Sequence, residues 1–219
     1  MTDLARIDPK VLACRELPWA DARLCAALGL PPNAAGRSLG LVTCDQDDAL
    51  YAALDHATKI ADVEVLYARS FYAGSAHASG PLSGEILGVL AATDPESIQQ
   101  GLRAVRFALE HLFAFRRVGE AGVTVFPTVI PSVGRYLAAQ AGVEPGVPFG
   151  YLVAPPVESV LGVDAALKAA DVTLLKFFGP PTETNFGGAW ITGALDAVEA
   201  SARAFEAAVC DVAAHPSLR

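Results

Sequence analysis

Asp55-His56-Ala57-Thr58-Lys59-Ile60-Ala61-Asp62-Val63 returns later in the chain as Asp164-Ala165-Ala166-Leu167-Lys168-Ala169-Ala170-Asp171-Val172. Asp, Ala, Lys, Ala, Asp and Val hold equivalent places, and the spacing from 55 to 164 is 109 residues. Two further blocks repeat in the same order. Residues 24–32 (LCAALGLPP) match 137–145 (LAAQAGVEP) at a spacing of 113. Residues 80–83 (GPLS) resemble 179–182 (GPPT) at a spacing of 99. The drift in spacing places about ten extra residues in the first half, near 69–79. A period this long makes each copy a domain rather than one turn of a solenoid. A chain of 219 residues accommodates two domains of about 100 residues each. The junction is expected at 119–122, which gives domains 1–118 and 119–219.

Both halves read as the same compact α/β layer. In the first, 38–43 is a short apolar strand, and Asp45 is placed to cap a helix reaching about Asp62. Its apolar stripe is Leu50, Ala53, Ala57 and Ile60. Strands are expected at 63–67 and 85–92. Asp94-Pro95 then opens a helix, cap followed by proline, with Ile98, Leu102, Val105, Leu109 and Leu112 at helical spacing. The second half offers strands at 151–154, 172–177 and 189–192, with helices at 163–170 and 194–213. One more strand and a short helix precede each set, at 11–16 with 20–28 and at 123–130 with 132–141.

Composition narrows the function classes. Hydrophobic residues make up 53% and charged residues 18%, against about 25% charged in an ordinary soluble protein. A chain so poor in charge hides more surface than its own core requires, which favours assembly. The net charge is −8 with no basic cluster, which argues against nucleic acid as a partner. The first residues lack the apolar core of a signal peptide, and no apolar run reaches the roughly 18 residues of a membrane span. Cys14, Cys25, Cys44 and Cys210 have no CxxC spacing and read as reduced, buried thiols of a cytoplasmic protein.

The segments 58–63 (TKIADV) and 167–172 (LKAADV) resemble the lysine-bearing helix-to-strand segment of bacterial microcompartment shell domains. In ordinary shell domains the strand equivalent to 123–131 comes last, whereas here it precedes the lysine helix in both halves. That order resembles the circularly permuted tandem shell proteins. Longer strings at 37–42 (RSLGLV), 69–77 (RSFYAGSAH), 151–156 (YLVAPP) and 181–185 (PTETN) resemble the EutL-type ethanolamine-utilisation branch of that family. The resemblance runs from about Leu28 to the C-terminus. It implies ferredoxin-like α/β layers and a homotrimer whose six shell domains form a pseudohexameric disc. Such discs pack laterally with other shell proteins in a cytoplasmic compartment. It also implies a central channel that opens and closes, and a smaller pore in each chain at the junction of its domains, thought to take up ethanolamine-like amines.

Several residues could line such a pore. Asp47 and Asp48 suit a helix start as first-turn acids, and equally suit a carboxylate lining for a small ammonium group. The resemblance places Glu85, in its Ser-Gly-Glu string, and Phe115, in an Ala-Phe pair, at the pore. Thr182, Glu183, Thr184 and Asn185 form a polar loop that otherwise reads as turn chemistry. Together, Asp47, Glu85, Phe115 and Glu183 offer the anions and aromatic face that a small ammonium alcohol needs. The resemblance further implies that Lys168 and Lys59 lie at tile edges.

Signals for catalysis fail. Residues 36–40 (GRSLG) fit G-x-S-x-G, but a Pro-Pro-Asn turn precedes Ser38 and a strand follows it, the reverse of a nucleophile elbow. No phosphate loop, dinucleotide fingerprint or H-E-x-x-H occurs, and His56, His77, His111 and His215 are scattered. Neither a metal nor a cofactor is expected. The rival reading is a discrete amine-binding or sensory protein on the same duplicated scaffold; a hydrolase using Ser38 is a weaker third.

Overall fold

Four strands of each half carry the repeat into three dimensions. In the computed structural model, which describes residues 4–71, 84–119, 122–180 and 185–217, the elements follow one another as below. The first half runs β1 (Leu4–Arg6), β2 (Val11–Leu17), α1 (Ala22–Ala27), β3 (Ser38–Cys44), α2 (Asp47–Ile60), β4 (Glu64–Ser70), β5 (Ile86–Ala92) and α3 (Pro95–His111). The second runs β6 (Arg116–Val118), β7 (Val123–Ile130), α4 (Arg135–Ala141), β8 (Phe149–Ala154), α5 (Pro156–Ala169), β9 (Val172–Phe178), β10 (Gly187–Gly193) and α6 (Leu195–Ala214). One sheet has the order β2-β3-β5-β4; the other contains β7-β8-β10-β9, extended beyond β7 by β6 and β1. The shared order is that of a tandem duplication.

Details repeat as well. The ladder of β4 on β5 skips Leu66, and the ladder of β9 on β10 skips Leu175. Those two bulges are again 109 residues apart. Gly29 and Gly142, at the spacing of 113, both turn with positive φ, 69° and 71°. Only glycine adopts that region without a steric cost.

By contacts the chain forms two compact units. The N-terminal unit holds Asp8–Phe113 with Gly134–Leu137, and the C-terminal unit holds residues 4–7, Ala114–Val133 and the chain from Ala138 on.

In the N-terminal unit α2 and α3 cover one face of the sheet, burying Leu50, Leu54, Ile98 and Leu102 against it. The opposite face packs Leu39, Val89 and Ala91 against Cys25 and Leu30 of the α1 region. Each buried Leu or Ile contributes roughly 1.5–3 kcal/mol. Gly40 and Gly88 admit the helices closely: a Cβ on residue 88 would lie 2.8 Å from Leu54 Cδ1. In the C-terminal unit, Leu152, Val163, Ile191, Val198, Phe205 and Val209 form the corresponding core.

Four local expectations need correction. Asp45 does not cap α2; its Oδ1 accepts from Lys10 N–H at 2.7 Å, and Gln46 takes the N-cap position. Ile60 and Leu112 are exposed, because one is the last residue of α2 and the other lies just past the end of α3. The lysine helix α5 starts at Pro156, seven residues before the expected Val163. Proline at its first turn is compatible with a helix start, and Gly162 is an interior residue because the Phe205 ring occupies the place of its Cβ, 2.7 Å away. Of the cysteines, Cys25 and Cys44 are buried but Cys14 and Cys210 are only half-buried; all four are free. The Asp94 cap meets its expectation, accepting from Ser97 N–H at 2.8 Å. Among the described residues no helix is long and apolar enough to cross a membrane.

Candidate functional site

The end of β3 and the start of α2 bring acids together. Asp47 and Asp48 occupy the first turn of α2 and are largely buried, 9% and 8% exposed. The unpaired amides and dipole at a helix start favour anions there. Glu85 is held against the same corner by its backbone. Its N–H donates to Cys44 C=O at 2.8 Å, and its own C=O accepts from Phe71 N–H at 2.9 Å. Gly84 makes this approach possible, since any Cβ there would collide with the Thr43 hydroxyl. Partial burial pushes the Glu85 carboxyl above its ordinary value, and the charges of Asp47 and Asp45 add to the rise. Glu85 thus sits within the field of two other carboxylates, those of Asp45 and Asp47.

Tyr51, one turn along α2 from Asp47, closes the group. Its phenol oxygen accepts from Ser70 N–H and from Ser70 Oγ–H, each at 3.0 Å. Burial raises its pKa, and Asp47 and Asp48 raise it further. Sequence reasoning missed both Tyr51 and Ser70. The i to i+4 spacing of Asp47 and Tyr51 was the available signal.

Phe115 belongs to the C-terminal unit, where its ring packs on Phe126 at 5.1 Å and Phe186 at 5.5 Å between centroids. Asn185 is exposed and adopts φ +62°, a left-handed turn that asparagine tolerates. Thr182, Glu183 and Thr184, with His77, the extra residues of the first half after Phe71 and most of the third repeat block, lie outside the described residues. Among the described residues no group of His, Cys, Asp and Glu is arranged to hold a metal ion. Ser38 is buried at the start of β3, with no base positioned beside it in the described contacts.

The two lysines differ in setting. Lys168 is exposed and pairs with Asp164, one turn earlier, at 2.6 Å. Lys59 lies in the last turn of α2 with its ammonium partly desolvated. Its pKa is lowered by that burial and partly restored by Asp55. Asp55 is fully buried and accepts from Gly134 N–H at 2.6 Å and Leu137 N–H at 2.9 Å. Thr58 Oγ1 accepts from Arg135 N–H at 3.0 Å, and Arg135 Nη2 donates to Val63 C=O at 3.0 Å. The C-terminal half of α2 is therefore a polar seat for the start of α4.

Comparison with known proteins matches this architecture. The BMC domain family model matches residues 38–119. The bacterial microcompartment shell protein EutL of Salmonella typhimurium is 43% identical over 220 residues, covering 100% of both chains. The crystal structure of EutL from Clostridium perfringens is 42% identical with a TM-score of 0.92, covering 99% of this chain and 97% of its own. That of the ethanolamine utilization protein EutL from Leptotrichia buccalis is 41% identical with a TM-score of 0.90, covering 100% and 99%.

Proposed function

Because the chain belongs to the EutL family of bacterial microcompartment shell proteins, and so is a structural protein rather than an enzyme, we propose that three copies build a six-domain disc that tiles the shell wall and passes small amines. The observation that carries the amine preference is the corner of Asp45, Asp47 and Glu85 in the N-terminal unit. Carboxylates held close at a cost in repulsion favour a cation between them. A small ammonium alcohol such as ethanolamine adds hydroxyl hydrogen bonds that Tyr51 and Ser70 can supply. A central channel opens and closes in this reading, and no bond is made or broken in either path. Thr182, Glu183, Thr184, Asn185 and Phe115 are the lining residues proposed for the C-terminal unit. Lys59 and Lys168 serve lateral contacts with neighbouring shell proteins.

Two readouts test this. The purified protein should have a solution mass near three times 22.7 kDa and form sheets in electron micrographs of concentrated samples. Ethanolamine should bind measurably by calorimetry, and Asp47→Asn with Glu85→Gln should weaken it by about tenfold or more. A chain that never associates would overturn the tile, and if it still bound ethanolamine it would be a discrete amine-binding protein. Equal affinity for the wild type and the double variant would overturn the acidic lining.

A further inference from the structure

The strand registers align the two sheets row by row. One row reads Leu41, Val89 and Tyr67 across β3, β5 and β4 of the N-terminal unit. The same row reads Tyr151, Trp190 and Lys176 across β8, β10 and β9 of the C-terminal unit. In the N-terminal unit this face is largely aliphatic, with Val89 buried against the α1 region. In the C-terminal unit it is aromatic. The Trp190 ring lies 5.6 Å from Phe149, 5.5 Å from Tyr151 and 4.9 Å from Phe178 between centroids. Aliphatic side chains suffice at this place in the N-terminal unit, so the fold by itself does not require the rings.

Two polar features accompany them. Trp190 is 6% exposed, and its Nε1–H finds no acceptor among the described residues. A buried indole N–H ordinarily has one. Lys176 is exposed, yet its ammonium lies over ring faces, 4.8 Å from the Phe178 centroid and 5.3 Å from that of Trp190. Among the described residues no carboxylate pairs with it, in a chain that has 24 acids against 16 bases. A lysine head is compact, strongly hydrated and ordinarily held in water. The cluster therefore joins flat apolar faces, a positive charge and an unclaimed donor. In charge it is the opposite of the acidic corner in the N-terminal unit.

We infer that Phe178, Trp190 and Lys176 form a binding site for a small flat ring that carries an oxyanion, a carboxylate or a phosphate. The ring stacks on the aromatic faces where the ammonium now lies. The exposed Lys176 side chain swings out to admit it and then pairs with its anion. An oxygen of the ligand accepts the Trp190 N–H and supplies the bond that this group lacks. A free ammonium ion is disfavoured, because Lys176 repels it. A neutral ring answers neither the charge nor the N–H. The site thus selects solutes of the opposite charge to those drawn to the acidic corner, and it requires neither that corner nor the association of copies.

Fluorescence tests it. Trp19→Phe leaves Trp190 as the only tryptophan of the full chain and so as the reporter. That protein is titrated with sodium benzoate and with phenyl phosphate. At least one should quench Trp190 along a saturating curve, and the tighter of the two identifies the anion as carboxylate or phosphate. Acetate, inorganic phosphate and benzyl alcohol, which offer the anion or the ring alone, should each bind about tenfold more weakly or worse. Lys176→Met keeps the long stem without the charge and should weaken ring-anion binding by about tenfold or more, whereas Lys176→Arg should hold it within about threefold. Position 176 is exposed, so both variants should keep the wild-type far-UV spectrum. The inference fails if neither ring anion gives a saturating curve. It also fails if Lys176→Met binds as tightly as its parent, or if benzyl alcohol binds as tightly as benzoate, since the rings would then act as apolar packing alone. Should Lys176→Met not fold, the titrations of the Trp19→Phe protein with ring anions and with their separate parts still decide.

Discussion

α2 and α5 are the same helix written twice, with equal length and equal place beside their sheets, and they differ in nearly everything outside the core stripe. α2 begins with two acids, Asp47 and Asp48; α5 begins with Pro156 and Val157. Shared bulges align Glu85, which precedes β5, with Phe186, which precedes β10. The acidic corner of one copy is therefore an apolar and aromatic corner in the other. Asp55 is buried and holds backbone amides, while its twin Asp164 is exposed and holds a lysine. After duplication, only the core stripe had to stay as it was. The other faces diverged, one carrying buried acids and the other exposed apolar residues.

The widest gap should open between the two aspartates. Asp55→Ala removes the acceptor of two buried amides, and an unsatisfied buried donor costs about 1–3 kcal/mol. The expected loss is about 3 kcal/mol in urea unfolding. Asp164→Ala, which breaks an exposed pair with Lys168, should cost less than about 0.5 kcal/mol in dilute chain. Equal losses would mean that the contacts of Asp55 are not what distinguishes the two sites. A smaller gap follows at the next shared core position. Gly162→Ala sets a methyl 2.7 Å from the buried Phe205 ring and should cost about 2 kcal/mol, against the gain in helix propensity of about 1 kcal/mol. Its twin exchange, Ala53→Gly, should cost about 1 kcal/mol. Trp190, buried in the C-terminal unit, is the fluorescent reporter for the first of these. A stabilised Gly162→Ala would show that Phe205 has room to move.

How much of this is legible in the sequence follows the same division. The duplication, most strands and the Asp94 cap can be read because they depend on local periodicity and on short-range hydrogen bonds. The family could be read from strings of residues that recur in order. The first seven residues of α5 are missed, and the reason Gly162 fits inside that helix is the Phe205 ring, 43 residues away. Asp45 misleads because Lys10, 35 residues earlier, claims its side chain. Asp47 and Asp48 are legible as first-turn acids and Glu85 only through the resemblance, whereas Tyr51 and Ser70 are not legible, since their hydrogen bonds join a helix to a strand. The unlike exposure of Asp55 and Asp164 has no sequence signal at all, because both sit in the same repeated motif.

The smallest expected effect is a pH dependence confined to one copy. Glu85 and Asp55 both hold their protons more tightly in the folded chain than their ordinary values of 4.5 and 3.8, in each case chiefly because burial disfavours the charge. Between each ordinary value and the raised folded one, the native state binds more protons than the unfolded state. Stability is therefore greatest on the acid side of that window and declines as pH rises through it. Glu85→Gln removes one titrating group and the repulsion from Asp47 and Asp45, so its urea midpoint should fall less steeply than that of the wild type as the pH rises above the ordinary value of 4.5. Phe186 holds the equivalent place in the C-terminal unit and does not titrate, so Phe186→Leu should leave the slope unchanged. An unchanged slope in Glu85→Gln would mean that its carboxylate does not share the field of Asp47, and the acidic corner would lose the observation on which amine selection rests.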